Sequence, residues 1–147
     1  MTGWLLDTNV VSEWVKPKPD LRVMEFLRSH PKNSLWISSV TLAELKRGIG
    51  SLNQSTRKLA LAGWLQNEFL QVFSGQILYL DDSALEAVLE LVDIGNKRRF
   101  APRIADTLIA ATAIARGLTV VTRNVRDFHQ LGVPVLNPFT GESFNLR

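Results

Sequence analysis

Short apolar runs alternate along the chain with longer segments in which apolar residues recur at helical spacing. The apolar runs predict strands at 4–7, 35–38, 76–80 and 118–122, with a short fifth strand at 133–136. The helical pattern predicts helices at 8–15, 20–30, 39–50, 56–73, 82–100 and 103–116. This alternation predicts an α/β protein, a three-layer α/β/α sandwich with a central, mostly parallel sheet of four to five strands. We expect residues 1–147 to form one domain, because no linker or repeat interrupts the pattern.

Several predicted helix ends coincide with residues that favour such positions. Asp20 follows the break at 16–19 and is predicted to cap the helix that begins there. Ser39 is predicted to cap the helix after the second strand. Gly117 is predicted to end the helix at 103–116, because glycine tolerates the left-handed backbone of a helix C-cap.

The composition is that of an ordinary globular protein, with 46% hydrophobic and 21% charged residues. No apolar run approaches the roughly 20 residues that a membrane-spanning helix needs, so we expect no membrane association. The sequence contains no cysteine, which excludes disulfides and thiolate metal sites and favours a cytoplasmic location. The net charge of +3 permits a polyanionic partner without requiring one.

The first candidate for chemistry is Asp7, which directly follows the apolar residues of the first predicted strand. Open α/β sheets bind their ligands at the carboxyl ends of the strands, so Asp7 is a candidate reacting group. An aspartate at a strand–helix junction is also typical of a helix N-cap or an Asx turn. Taken alone, Asp7 favours the capping interpretation.

Two further acids occur in unusually apolar surroundings. Glu44 has apolar neighbours on both sides in a helix that follows a strand, although a solvated helix charge is an equally good interpretation. Asp106 lies near the start of the least polar predicted helix, 103–116, which we expect to be buried. A buried carboxylate needs a partner, whereas an acid that merely stabilises a helix N-terminus does not.

A third group of polar residues follows the fourth predicted strand and comprises Thr122, Asn124 and Asp127. Each one alone is typical of a turn, but together with the other acids they would meet at one edge of the sheet. Carboxylates that converge repel one another, which implies a cation between them. Oxygen ligands favour a hard cation, Mg²⁺ or Mn²⁺. A rival acidic set on the helix 82–100 has the regular spacing of a solvated face: Asp82, Glu86, Glu90 and Asp93.

These residues also carry a family resemblance. The segments at 5–13, 41–45, 105–111 and 121–128 resemble, in order and spacing, the successive motifs of the PIN-domain family. The sequence is most similar to the VapC/FitB-like toxins of bacterial toxin–antitoxin pairs. The resemblance extends from residue 1 to about residue 138, and the opening segment at 5–13 is its most specific part.

The resemblance implies a Mg²⁺-dependent endoribonuclease, for which Mn²⁺ can substitute, on an α/β/α fold. It assigns acidic roles to Asp7, Glu44 and Asp106, with Asp7 and Asp106 as the direct metal ligands. Asn9 and Thr122 match polar positions that support the site. At the fourth acidic position this chain has Asn124, and Asp127 follows three residues later. Either residue is therefore a candidate for that position, and the number of metal ions, one or two, stays open.

The implied reaction is hydrolysis of phosphodiester bonds in RNA, so a basic rim is expected around the acids. Arg103, Arg123 and Arg126 are candidate substrate-binding residues, and the basic run at 97–99 is either part of that rim or a favourable helix C-terminus. The resemblance also implies a cognate antitoxin and a homodimer. The alternative function is a non-catalytic PIN-like module that binds nucleic acid or protein.

Overall fold

The computed structural model describes residues 3–145, and within them the chain forms a six-stranded sheet. The strands lie in the order β3-β2-β1-β4-β5-β6. The first five strands are parallel to their neighbours, and β6 joins the edge antiparallel to β5. The strand bounds are β1 Trp4–Leu6, β2 Leu35–Ser38, β3 Ile77–Leu78, β4 Thr119–Val121, β5 Val135–Leu136 and β6 Ser143–Phe144.

Helices connect the strands and cover both faces of the sheet. Helix α1 is continued by a 3-10 turn at Ser12–Val15, and a π-helical turn at Leu65–Phe69 separates α4 from α5. The helix bounds are α1 Thr8–Val11, α2 Leu21–Ser29, α3 Ser39–Gly50, α4 Thr56–Trp64, α5 Leu70–Val72, α6 Asp82–Arg98, α7 Ile104–Arg116 and α8 Val125–Gln130. A further 3-10 turn at Lys32–Ser34 leads into β2.

Alternation along the central strands divides the apolar core between the two faces of the sheet. Leu5 and Val120 belong to one buried cluster, together with Ile109 of α7. Their neighbours Leu6 and Val121 belong to a second buried cluster on the other face. Because successive strand residues point to opposite faces, two apolar neighbours per strand build a three-layer α/β/α structure, which confirms the predicted fold class.

Local details differ from the sequence-based predictions. The cap of α3 is Ser38, not Ser39, because Ser38 has an extended backbone and its hydroxyl accepts a hydrogen bond from Val40 N. The third strand is confined to Ile77–Leu78. The sixth strand, Ser143–Phe144, was not predicted, because two residues with one polar side chain carry no clear period. The predicted caps at Asp20 and Gly117 are confirmed.

The fold places a crevice where the chain changes direction across the sheet. From β1 the chain moves to β2 and β3 on one side, and it returns through α7 to β4 on the other side of β1. Ligands of open α/β proteins bind at such switch points, beyond the carboxyl ends of the strands.

None of the helices within residues 3–145 has the length and apolar composition that a membrane-spanning segment needs.

Candidate functional site

Asp7 lies at the carboxyl end of β1, where its backbone N–H donates to Val121 O of β4 at 2.9 Å. The residue is only 5% exposed. Its Oδ1 accepts a hydrogen bond from Thr8 N at 2.8 Å, so Asp7 is the N-cap of α1. The capping interpretation is therefore correct for one carboxylate oxygen, and the second oxygen, Oδ2, faces β4.

Thr122 holds that second oxygen in place. The fully buried Thr122 hydroxyl donates to Asp7 Oδ2 at 2.7 Å. The same Oγ1 accepts hydrogen bonds from Asn9 Nδ2 at 3.2 Å and Asn124 N at 3.0 Å. Asn9 Oδ1 in turn accepts from Arg123 N at 3.1 Å. Asn9 and Thr122 thus connect α1 to the loop after β4 and fix the direction of Asp7.

Glu44 projects from α3 toward the same crevice. Its Oε1 accepts a hydrogen bond from the Thr8 hydroxyl at 2.7 Å, and its side chain is 29% exposed. No role for Thr8 was predicted from the sequence. The sequence does show a hydroxyl residue directly after the strand-end aspartate. The hydrogen-bond partner of this hydroxyl lies 36 residues away in the chain, so spacing alone does not reveal the contact.

Asp106 lies in the first turn of α7 and is 2% exposed, as its apolar helix predicts. Arg103 Nη2 lies 3.6 Å from Asp106 Oδ1 and 3.3 Å from Glu44 Oε2. One guanidinium therefore joins α3 and α7 through two carboxylates. Arg103 faces the acids directly, in addition to flanking them along the chain.

Asn124 brings the last predicted residues into the cluster. Its Nδ2 donates to Asp106 Oδ2 at 3.2 Å and to Asp127 Oδ2 at 2.9 Å. The amide therefore lies between two carboxylates, where a further carboxylate in its place would repel both. Asp127, one helical turn further on in α8, reaches the site through Asn124.

The electrostatics of the cluster follow from burial and like charge. Burial first, and then the negative charges of Asp7, Asp127 and Glu44, raise the pKa of Asp106 to about 6 against the opposing effect of Arg103. Burial also raises the pKa of Asp7, although the hydrogen bonds from Thr122 and Thr8 counteract it. The two buried carboxyl groups therefore resist being charged together.

The donor set fits a hard divalent cation. Asp7 and Asp106 supply buried carboxylate oxygens whose mutual repulsion a cation would relieve, and oxygen is the preferred ligand atom of such ions. Within residues 3–145, no three His, Cys, Asp or Glu side chains have the arrangement of a complete all-protein metal site. Cations of the Mg²⁺ type commonly bind through one or two carboxylates and retain waters, so a two-carboxylate site suffices.

The basic residues are distributed unequally around the acids. Arg123 lies with its guanidinium carbon 3.9 Å from the centre of the Phe139 ring, and Arg126 is exposed on α8. The run at 97–99 ends α6: Lys97 pairs with Asp93 at 3.2 Å, and Arg99 is the left-handed C-cap with φ 53°. The interpretation as a favourable helix C-terminus thus accounts for this run.

The rival acidic set on α6 is exposed, as expected: Asp82, Glu86, Glu90 and Asp93.

An acidic crevice at the switch point of a parallel sheet, enclosed in an α/β/α sandwich, defines the class of protein. The family model described as "PIN domain" matches residues 4–134, and the chain belongs to this family. The resemblance noted in the sequence is thereby confirmed. The VapC ribonucleases of the family are generally dependent on a metal ion.

Individual relatives cover nearly the whole chain. The chain is 32% identical to VapC ribonuclease Y4jK of Sinorhizobium fredii over 138 residues, which cover 92% of this chain and 96% of the relative. It is 35% identical to toxin FitB of Neisseria gonorrhoeae over 135 residues, which cover 92% of this chain and 97% of the relative. The crystal structure of FitAcB from Neisseria gonorrhoeae is similar with a TM-score of 0.88 at 34% identity, covering 93% of this chain and 99% of that chain.

Proposed function

We propose that this protein is an endoribonuclease toxin of a toxin–antitoxin pair, which hydrolyses phosphodiester bonds in RNA with the help of Mg²⁺. Mn²⁺ can substitute for Mg²⁺ because both prefer oxygen ligands. The observation that carries the proposal is the pair of buried carboxylates, Asp7 and Asp106, at the switch point of the sheet. The ribonuclease and toxin relatives support the choice of RNA and of this biological class.

Asp7 and Asp106 would hold the cation, and each is oriented by a neighbour. Thr122 fixes Asp7 Oδ2, and Asn124 fixes Asp106 Oδ2. When bound, Mg²⁺ supplies a Lewis acid that polarises the phosphate and makes a bound water more acidic. Glu44, which is held by Thr8 and partly exposed, would accept a hydrogen bond from the attacking water at its carboxylate.

Asn124 limits the site, in our proposal, to one metal ion. A second cation would need another anionic ligand in the position that the neutral amide occupies between Asp106 and Asp127. The amide instead donates hydrogen bonds to both carboxylates, so Asp127 is stabilised without a cation. Asn124 and Asp127 therefore act as positioning residues for Asp106.

Arg103, Arg123 and Arg126 are proposed to bind the RNA backbone. All three side chains are exposed, and Arg103 already contacts the acids that would face the scissile phosphate. Arginine suits phosphate because its planar guanidinium donates two parallel hydrogen bonds. Binding through such contacts weakens steeply as salt displaces the protein from the phosphates.

The function is tested by incubating the purified protein with single-stranded RNA in Mg²⁺ and in excess EDTA. We expect cleavage in Mg²⁺, a rate at background in EDTA, and recovery when Mg²⁺ is added back in excess. Heat-denatured protein from the same preparation controls for contaminating nucleases that resist heating. Cleavage that continues in EDTA would contradict the metal mechanism, and RNA binding without cleavage in Mg²⁺ would favour the non-catalytic alternative.

A cognate antitoxin and a homodimer are the proposed protein partners, and α6 carries the surface that fits the homodimer. Leu85, Leu89 and Val92 are 49%, 72% and 49% exposed. They recur at i, i+4 and i+7, so they form one apolar stripe on the outer side of the helix. A contiguous exposed apolar stripe of this kind marks an interaction surface.

A cytoplasmic location of the protein stays a prediction.

Replacing Leu89 by Lys is expected to convert the dimer to a monomer, because a lysine in the centre of an apolar interface loses its hydration. Lysine favours helices and lies within reach of Glu86 and Asp93, so α6 itself should remain folded. Leu59→Lys on α4 is the matched control, since Leu59 is also 72% exposed. Sedimentation equilibrium measures the outcome. A dimer that survives Leu89→Lys, or dissociates equally with Leu59→Lys, would contradict this interface.

A further inference from the structure

A cleft opens directly beside Glu44, between α1, α3 and α4, with a volume of about 310 Å³. Thr8 and Glu44, which belong to the proposed active site, line one end of it. Pockets for small ligands in proteins have volumes of roughly 300–1,000 Å³, so this cleft matches the smallest of them. A group held here would be adjacent to the reacting phosphate.

The walls of the cleft are formed mainly by apolar side chains. Leu45, Ile49 and Leu61 contribute aliphatic surface, and Trp64 contributes an aromatic ring. The Trp64 ring is 9% exposed and packs against Trp14 and Phe69 at centroid distances of 6.1 and 5.1 Å, so it forms part of the wall of the cleft. A flat apolar group bound in the cleft would bury this surface.

The rim of the cleft is positively charged. Lys16 and Arg57 line the cleft and are both exposed. Lys16 also pairs with the buried Glu13. Two cations beside an apolar cleft complement a ligand with a flat apolar body and anionic groups at its sides. A nucleotide within an RNA strand has this chemistry, because a phosphate lies on each side of the base.

We propose that this cleft binds the base of a nucleotide next to the scissile phosphate of the RNA substrate. The inference rests on the proposed ribonuclease function and adds a specificity subsite to it. The base must leave its stack to enter the cleft, so the enzyme acts on single-stranded segments or loops. An apolar peptide side chain in the cleft would offer no anion to Arg57, whereas a nucleotide brings a phosphate on each side of its base, which favours the nucleotide.

Gly48 and Gly50 in α3 offer a matched pair of variants to test the subsite. Gly48 lines the cleft, and a Cβ added there meets no atom within 4 Å. A Cβ added at Gly50 also meets no atom within 4 Å. Two residues along a helix are about 200° apart around its axis, so a side chain at position 50 points away from the cleft. Gly48→Leu would therefore fill the cleft, and Gly50→Leu would leave it open.

The experiment measures cleavage of a mixed-sequence, single-stranded RNA oligonucleotide in Mg²⁺ by the wild type and both variants. We expect Gly48→Leu to raise KM about tenfold or more, which corresponds to the loss of the contacts of one bound base. We also expect sequencing of the cleavage products to show a base preference next to the cut in the wild type and a weaker one in Gly48→Leu. Gly50→Leu should match the wild type, and Mg²⁺ should raise the melting temperature of all three proteins equally.

The experiment can contradict the subsite and the ribonuclease function separately, because each would fail with a different result. Wild-type protein that cleaves no RNA overturns the proposed function and the subsite with it. Wild-type protein that cleaves RNA, with Gly48→Leu unchanged in KM and base preference, overturns the subsite alone. If Gly48→Leu keeps its RNA kinetics but no longer retains a co-purified protein partner, the cleft binds protein, and the subsite is overturned as well.

Discussion

Asp106→Asn is expected to reduce the rate of RNA cleavage roughly a thousandfold while leaving the fold intact. The substitution removes one of the two buried negative charges proposed to hold the cation, and electrostatic contributions to catalysis have effects of this size. The amide oxygen that replaces a carboxylate oxygen can still accept the hydrogen bond that Asn124 Nδ2 donates to Asp106 Oδ2 at 3.2 Å. The structural role of the side chain is therefore preserved, and only its charge is lost.

Asp7→Asn is expected to have an effect of the same size, and Asp20→Asn provides its control. Both aspartates are helix N-caps, Asp7 of α1 and Asp20 of α2, and asparagine is an equally good N-cap. Initial rates with labelled RNA and circular dichroism spectra measure activity and folding. Near-normal cleavage by Asp7→Asn or Asp106→Asn would exclude that residue as a metal ligand. A similar loss in Asp20→Asn would show that capping, not charge at the site, is responsible.

The same Asp106→Asn protein is expected to melt at a higher temperature than the wild type in EDTA at pH 7.5. The pKa of Asp106 is raised from 3.8 to about 6 in the folded protein, mainly by burial. A raised carboxyl pKa means that the folded state binds the proton more tightly than the unfolded state. The stability contributed by the protonated group is complete below about pH 4 and is lost as the pH rises through 6. Charged Asp106 then destabilises the fold by up to about 3 kcal/mol.

Asparagine carries no charge, so the difference in melting temperature should be several degrees at pH 7.5 and about a third as large at pH 4.5. Addition of Mg²⁺ at pH 7.5 should raise the melting temperature of the wild type and narrow the gap, because the ion binds the folded state. The ordinary interpretation of Asp106 as a helix N-terminal acid predicts the opposite sign, since removing the favourable charge would destabilise α7. Differential scanning calorimetry at the two pH values distinguishes the two interpretations of Asp106, and Asp20→Asn again serves as the control.

The parts of the fold that sequence analysis predicted correctly are those governed by local pattern. The five parallel strands, the cap at Asp20 and the burial of Asp106 each follow from residues within one or two turns of chain. The parts that it missed depend on tertiary contacts. The π-helical turn at Leu65–Phe69 lies where Leu65 and Phe69 pack into the core, and no local residue type marks it.

The same division applies to the site. The acids were identifiable because each interrupts an apolar segment, and the topology of a parallel sheet brings them to one edge. The hydrogen bond from Thr8 to Glu44 and the two that Asn124 donates depend on rotamers and distances that no spacing encodes. Arg103 was expected to bind substrate, but its contacts with Glu44 and Asp106 could be found only from the structure.

The hydrogen bond between Thr122 and Asp7 joins residues 115 positions apart in the chain. During synthesis Asp7 leaves the ribosome long before Thr122, and it stays without its supporting hydroxyl until the chain has been translated past β4. An incomplete product therefore contains the first acid but cannot orient it. For a protein proposed to cut RNA, this late assembly would delay the activity until Thr122 has been made and folded, and the messenger and ribosome that produce the chain would be spared meanwhile.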